Sequence, residues 1–408
     1  MTRPFWIIVL SAGTIMGLAV GIRHGFGLFL TPITADLGVG RETFALGMGL
    51  MNLLWGLGSP FAGAIADRFG AGLVAAAGGI LYAVGLSTMT LSGDGENLLL
   101  GGVLIGLGLS GTGFSVILGT VGRLALPEKR GRALGIVSMG GSIGQFLALP
   151  YTHVLIDGFG WVTSLFILAL TALLIVPLAA SIAGSPAASI AGSPAAKDGS
   201  GGQTMKQAFR EASASRSFWL LIAGFFVCGF HLAFVMIHLP AFLSDQGFEP
   251  WLAAAGLTVV GLCNIIGSYG CGVLGDRYPK KNVLSLLYLA RALVFAMFLV
   301  VPISEVSVLV FSAAMGFMWL GTVPLTSGLV AHMFGTAYMS MLFGIVFVGH
   351  QIGGFLGAWL AGRLYDMSGS YDTMWLLSIA LGLMSAALHW PIAERPVERL
   401  VAVGQEFR

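Results

Sequence analysis

GAIADRF at residues 63–69 returns as GVLGDRY at residues 272–278. The offset is 272 − 63 = 209 residues, and three further stretches repeat at that spacing. LTPITADLG (30–38) matches LPAFLSDQG (239–247) in Leu, Asp and Gly. GIVSMGGSIGQF (135–146) matches GIVFVGHQIGGF (344–355), and LIDGFG (155–160) matches LYDMSG (364–369). Four matches at one offset are hard to produce by chance. They mark two copies of one plan, residues 1–180 and 217–408.

Each copy is overwhelmingly apolar. Of 408 residues, 56% are hydrophobic and 9% are charged, against roughly a quarter charged in soluble domains. A bilayer crossing needs about 20 apolar residues. Twelve such segments can be marked, near 5–31, 44–65, 73–91, 97–121, 131–156, 160–180, 217–242, 251–274, 282–302, 305–331, 338–363 and 372–390. The expected fold is therefore all-α, with twelve membrane helices in two pseudo-repeats of six. The first segment is too long for a signal-peptide core and lacks a small-residue cleavage signature, so it counts as a true span.

Charge placement orients the chain. With the N-terminus in the cytoplasm, 16 of the 20 Lys and Arg residues fall at cytoplasmic segments or their borders. The exceptions are Arg23, Arg41, Arg291 and Arg363. The positive-inside rule then puts both termini inside an inner membrane of bacterial type. Residues 181–216 join the halves, and SIAGSPAA occurs there twice in tandem, as expected of a flexible cytoplasmic linker. MKQAFREASASRSF (205–218) is basic and amphipathic and reads as an interfacial helix. Cys228, Cys263 and Cys271 have no metal spacing and read as packing residues.

GAIADRFG and GVLGDRYP resemble the signature loops after spans 2 and 8 of the major facilitator superfamily, and the resemblance covers the whole chain. It implies gating pairs at cytoplasmic helix ends, here Asp67, Arg68, Asp276 and Arg277. GTVGRLALPEKRGRALG (119–135) is similar to the span 4–5 region of the monocarboxylate porter and oxalate/formate exchanger branch, through Arg123, Pro127, Lys129, Arg130 and Gly131. Arg123 and Arg130 join the gating candidates on that ground. The oxalate exchanger is similar in having basic residues in spans 8 and 11. Here those positions fall at neutral Ser268 and at His350, so a two-cation grip on a dicarboxylate is not reproduced.

None of the 18 acidic residues falls in the middle of a span. Arg23, His24, His231, His238, Arg291 and His350 lie within the spans, in the membrane interior. A buried cation needs a partner, and a central arginine costs about 2.5–3.5 kcal/mol to insert. Water in a cavity or a substrate anion can supply what the chain does not. Gly13, Gly17, Gly21 and Gly25 form a seam for close helix packing, and Arg23 lies about 200° around the helix from it. Arg23 sits past the midpoint of its expected span, toward the outside. It is expected to line the cavity and pair with an anionic substrate.

His231 and His238 share one face of span 7, the repeat mate of span 1, and are expected to look across at Arg23. His231, nearer the middle, is the better site candidate. His350 follows Gly349 in a Gly349/Gly353/Gly357 seam, with Gln351 beside it. Asn52, Trp55, Gln145, Asn264 and Tyr269 are polar or aromatic residues that could orient a small acid. Arg291, in a span that is peripheral in the superfamily, is expected to bond carbonyls between helices. The expected substrate-binding set is Arg23, His24, His231, His350, Gln351, Asn264, Tyr269 and Asn52.

With no midspan carboxylate, histidine is the side chain suited to carry a proton near neutral pH. The sequence thus reads as a secondary carrier of small organic anions, monocarboxylates first, by proton symport or anion exchange. An exporter of drugs or metabolites and a non-transporting sensor are the alternatives. No Walker motif, nucleophile elbow or metal cluster is present, so neither an enzyme nor a cofactor is expected. The expected partners are a small carboxylate, protons and the bilayer, with no nucleic acid and no second subunit.

Overall fold

A computed structural model describes residues 4–91, 95–124, 130–182, 204–335 and 339–397. Pro127, Lys129 and the tandem linker repeat lie outside the described residues, as do the side chains of Asp67, Arg68, Arg123 and Arg130. The fold is all-helical. In order the helices are α1 (Phe5–His24), α2 (Leu30–Leu37), α3 (Arg41–Phe69), α4 (Ala71–Met89), α5 (Glu96–Thr112) and α6 (Phe114–Leu124). Then come α7 (Arg130–Leu173), α8 (Ile175–Ile182), α9 (Met205–Ser213), α10 (Arg216–Asp245) and α11 (Pro250–Arg277). The chain continues through α12 (Lys280–Val300), α13 (Glu305–Phe317), α14 (Thr322–Phe334), α15 (Met339–Ser368) and α16 (Asp372–His389).

Eleven helical segments are long and apolar enough to cross a membrane. One of them, Gly135–Ile182, is 48 residues long and bends at Gly160, whose φ of 73° suits only glycine without strain. It makes two crossings, which gives the twelve expected. Among the described residues four spans are broken, the sixth of them only at Leu174, between α7 and α8. The first runs Phe5–Leu37, longer than the sequence reading, and is interrupted by a 3₁₀ turn at Phe26–Phe29. The fourth breaks at Gly113, between α5 and α6, and the tenth at residues 318–321, between α13 and α14. Breaks of this kind are tolerated at membrane depth where neighbouring protein satisfies the freed backbone.

Packing repeats as the sequence does. Gly17 and Gly21 on α1 lie so close to Gly140 and Gly144 on α7 that any side chain would strike backbone. At 209 residues further on, Phe226 on α10 lies against Gly353 on α15. Backbone contact replaces hydrophobic burial as the source of helix association in lipid. Trp375 on α16 fills the centre of the last six spans, with Phe234 at 4.8 Å and Phe242 and Phe298 at 5.3 Å. Phe61, Leu73, Leu170 and Leu293 are exposed, as lipid-facing residues would be. α9 opens with a capping box between Thr204 and Gln207.

Candidate functional site

Arg23 ends α1, just before the 3₁₀ turn, and lies near the middle of its lengthened span rather than past it. Snorkelling to either surface is therefore out of reach. The side chain is buried and turned from the glycine seam toward α3, as the helical spacing implies. One Nη donates to Asn52 Oδ1 at 2.7 Å, and the guanidinium carbon stands 5.0 Å from the Trp55 ring centroid. Nε has no hydrogen-bond partner. Among the described residues, the arginine ion pairs are Arg41–Asp245 and Arg363–Glu42, and Arg23 has none. Asn52 is itself held by an Nδ2 donation to Met48 O at 3.1 Å.

α15 lies across from α3. Gly354 leaves room for Asn52, and Gly56 does the same for Gln351. The His350 ring stacks on Phe347 at 5.3 Å and 11°. Its Nδ1 lies 3.0 Å from Gln351 Oε1 and donates to it, which leaves Nε2 of a neutral ring as a proton acceptor. Nε2 and the Gln351 Nε2 are both buried without partners. One turn nearer the linker end, Trp55 meets Phe347 edge-on at 5.5 Å and stacks on Phe114 at 6.1 Å. Arg23 with Asn52 on α3, and His350 with Gln351 on α15, are thus two polar pairs beside an aromatic cluster of Trp55, Phe114 and Phe347. The sequence reading missed Phe114 and Phe347, since an aromatic in a span carries no mark of its neighbours.

Other candidates are placed elsewhere. His24 donates from Nδ1 to Val20 O at 2.5 Å, within its own helix. His231 and His238 do not face Arg23. His231 donates to Ser378 O at 2.8 Å. His238 donates to Ala358 O at 2.8 Å and accepts from the Tyr371 hydroxyl at 3.0 Å. The glycines of α15 bring it onto α10 at backbone contact, so that face of span 7 is covered. Tyr269 is 78% exposed, in line with exposed Leu262 and Ile266, and points away from the interior. Asp276 and Arg277 are exposed at the linker end.

Asn264 has its hydrogen-bonding capacity engaged. Its Oδ1 accepts from Leu320 N and Ser268 Oγ, both at 3.0 Å, and its Nδ2 donates to Ser142 Oγ at 3.3 Å. Arg291 meets the expectation for it. It donates to Met318 O and, at 2.6 Å, to Trp319 O, the carbonyls freed by the break between α13 and α14. Its other Nη reaches Cys228 Sγ at 3.4 Å.

At the end of the bundle away from the linker, Arg41 grips Asp245 through both Nη groups at 2.5 and 2.7 Å. It also donates to the Tyr371 hydroxyl at 3.0 Å and lies 3.8 Å over the Tyr365 ring. Asp366 accepts the first amides of α3, at 3.1 and 2.8 Å. Glu42 accepts from Trp359 Nε1 at 2.9 Å and Arg363 at 3.1 Å. This latch ties α3 to α10 and α15 at that end. A groove of about 510 Å³ between α4 and α7, lined by residues such as Ile80, Val84, Phe166 and Leu170, is apolar and remote from Arg23.

Comparison with known proteins agrees with this architecture. The chain is 26% identical over 401 residues to monocarboxylate transporter 13 of Rattus norvegicus, covering 94% of this chain and 87% of the relative. It is 22% identical to the oxalate:formate antiporter of Oxalobacter formigenes over 98% and 95% of the two chains. Among solved structures, an inward-facing bacterial homologue of the lysosomal transporter Spinster superposes with a TM-score of 0.75 at 16% identity, over 95% of this chain and 97% of that one. A D-xylose-proton symporter gives 0.73 at 16% identity, over 95% and 98%. The Major Facilitator Superfamily model matches residues 6–358 and 256–406. The chain belongs to the Major Facilitator Superfamily of membrane transporters.

Proposed function

We propose that this transporter carries small organic anions, monocarboxylates above all, together with protons, by rocking residues 1–180 against residues 217–408 about the linker 181–216. The linker end faces the cytoplasm of a bacterial-type cell, by the positive-inside argument. The observation that carries the reading is Arg23, a midspan guanidinium held by one hydrogen bond, to Asn52 Oδ1, with no carboxylate among its partners. The names borne by the relatives, monocarboxylate transporter and oxalate:formate antiporter, support an anionic substrate.

In this reading Arg23 binds the carboxylate and His350 Nε2 takes the coupling proton. Anion and proton enter as a neutral pair, so loaded and empty carriers have the same net charge. Asn52 and the Trp55 face offset part of the Arg23 charge in the empty carrier, which lets it return. That favours symport over obligatory exchange. The Arg41–Asp245 latch closes the outer side, while Asp67, Arg68, Asp276, Arg277, Arg123 and Arg130 act at the cytoplasmic side. A ligand shifts this equilibrium only through unequal affinity for the two states.

The test is uptake of labelled mono- and dicarboxylates into proteoliposomes, with and without an inward proton gradient. Arg23→Gln should reduce uptake to background. His350→Gln should abolish acid stimulation while anion counterflow persists. Transport by Arg23→Gln at the parent rate refutes the reading. Stabilisation by organic cations rather than acids in a thermal-shift screen would favour an exporter.

A further inference from the structure

Gln145 has no role in the scheme above, yet its side chain is anomalous. It is 1% exposed, and both its Oε1 and its Nε2 lack a hydrogen-bond partner. A buried amide with one unmet group is costly, and one with two asks for an explanation.

The repeat supplies a location. Asn52 on α3 faces Gly354 on α15, its Cγ 3.4 Å from where a Cβ on that glycine would stand. Adding 209 to 52 gives Gly261, and subtracting 209 from 354 gives Gln145. Gly261 on α11 does face Gln145 on α7, with the glutamine Cγ 3.2 Å from where a Cβ on Gly261 would stand. The two contacts are pseudo-symmetric mates at matching depth. One seam holds the amide that grips Arg23. The other holds an amide that grips nothing. Asn52 and Gln145 flank α1 on opposite sides, because α1 packs on α7 through Gly21 and Gly144 and sends Arg23 toward α3.

We infer that Gln145 is a specificity-determining residue that reads a second polar group of the substrate, remote from the carboxylate bound by Arg23. The inference rests on the anion-carrier reading. A carboxylate accepts only, whereas the free amide offers both an acceptor and donors. The matching group is therefore a hydroxyl or an amide. Neighbouring helix axes lie roughly 8–10 Å apart, so this group belongs at the far end of the acid rather than beside its carboxylate.

The experiment measures KM for pairs of straight-chain acids with and without an ω-hydroxyl, from three to eight carbons, in proteoliposomes of the parent and of Gln145→Leu. The parent should favour the hydroxylated member by about ten-fold at its best length. Gln145→Leu should remove that preference while leaving KM for the plain acid unchanged. It should also melt no lower than the parent, since it deletes an unmet amide. Gln145→Met, similar in length, repeats the test in a second variant. Equal KM changes for both members of each pair, or an unaltered preference, would overturn the assignment and leave the carrier reading standing. Failure to carry or be stabilised by any acid would overturn both.

Discussion

Arg23 and Arg291 are both arginines buried at membrane depth, and they are held in opposite ways. Arg291 has two backbone carbonyls, a thiol and the Tyr288 ring, with its guanidinium carbon 5.2 Å from that ring's centroid. The break in the tenth span frees the carbonyls, and the guanidinium takes them up. The carbonyls and the Nη groups satisfy each other, while the Arg291 Nε, like that of Arg23, has no hydrogen-bond partner. Arg23 has one amide oxygen and one indole face. No carbonyl bonds to it, and in the proposed function a carboxylate ligand answers its charge. On that proposal a buried cation is structural where the chain supplies several partners and functional where it supplies one.

Five variants press on that contrast. The largest effect is expected from Arg23→Leu, which should lose all carboxylate uptake yet unfold no more easily than the parent, because an unpaired charge has left the interior. Arg291→Leu should do the reverse. It strands two carbonyls and loses about 3 kcal/mol in thermal unfolding in detergent. Reduced uptake should then follow the amount of folded protein rather than a changed KM. If Arg291→Leu were stable and inactive, the two arginines would not differ as described.

Arg41 is a third case, a cation answered by a carboxylate near the surface. Its side chain is 13% exposed and that of Asp245 27%, so solvent screens the pair. Arg41→Ala should favour the outward-open state by about five-fold. Double electron–electron resonance between labels at Ala35 and Gln246 would show this as a longer-distance population. The exchange Arg41→Asp with Asp245→Arg should recover part of the closed state. The smallest effect is expected at Tyr269, where Tyr269→Leu should leave uptake and melting unchanged because the ring is exposed and turned from the interior. Loss of uptake there would return it to the site.

Much of this was legible in the sequence. The twelve spans follow from apolar length. The glycine seams follow from a spacing of four, and they packed where that spacing points. The face carrying Arg23 followed from the same helical geometry. His350 and Gln351, marked by the glycine seam beside them, are hydrogen-bonded to each other. The histidines of span 7 did not follow, because periodicity says that two residues share a face but not which helix covers it. Asn264 looked like a free amide along the chain. The broken tenth span and Ser142, with Ser268 of its own helix, supply its partners. The outer latch had left a trace, since Arg41 and Arg363 are exceptions to the positive-inside pattern. Each proves to have a carboxylate beside it.

The sequence alone determined how many times the chain crosses the membrane, that its plan is repeated, and which cations lie at membrane depth. Those properties depend on local transfer energies and on spacing within one helix. The tertiary structure decided which of those cations are satisfied. Partners for a buried guanidinium or amide come from helices distant in the chain, and no local pattern records whether they arrive. Arg291 met two carbonyls and a thiol across the bundle, Arg23 met one amide oxygen, and the amide of Gln145 met nothing.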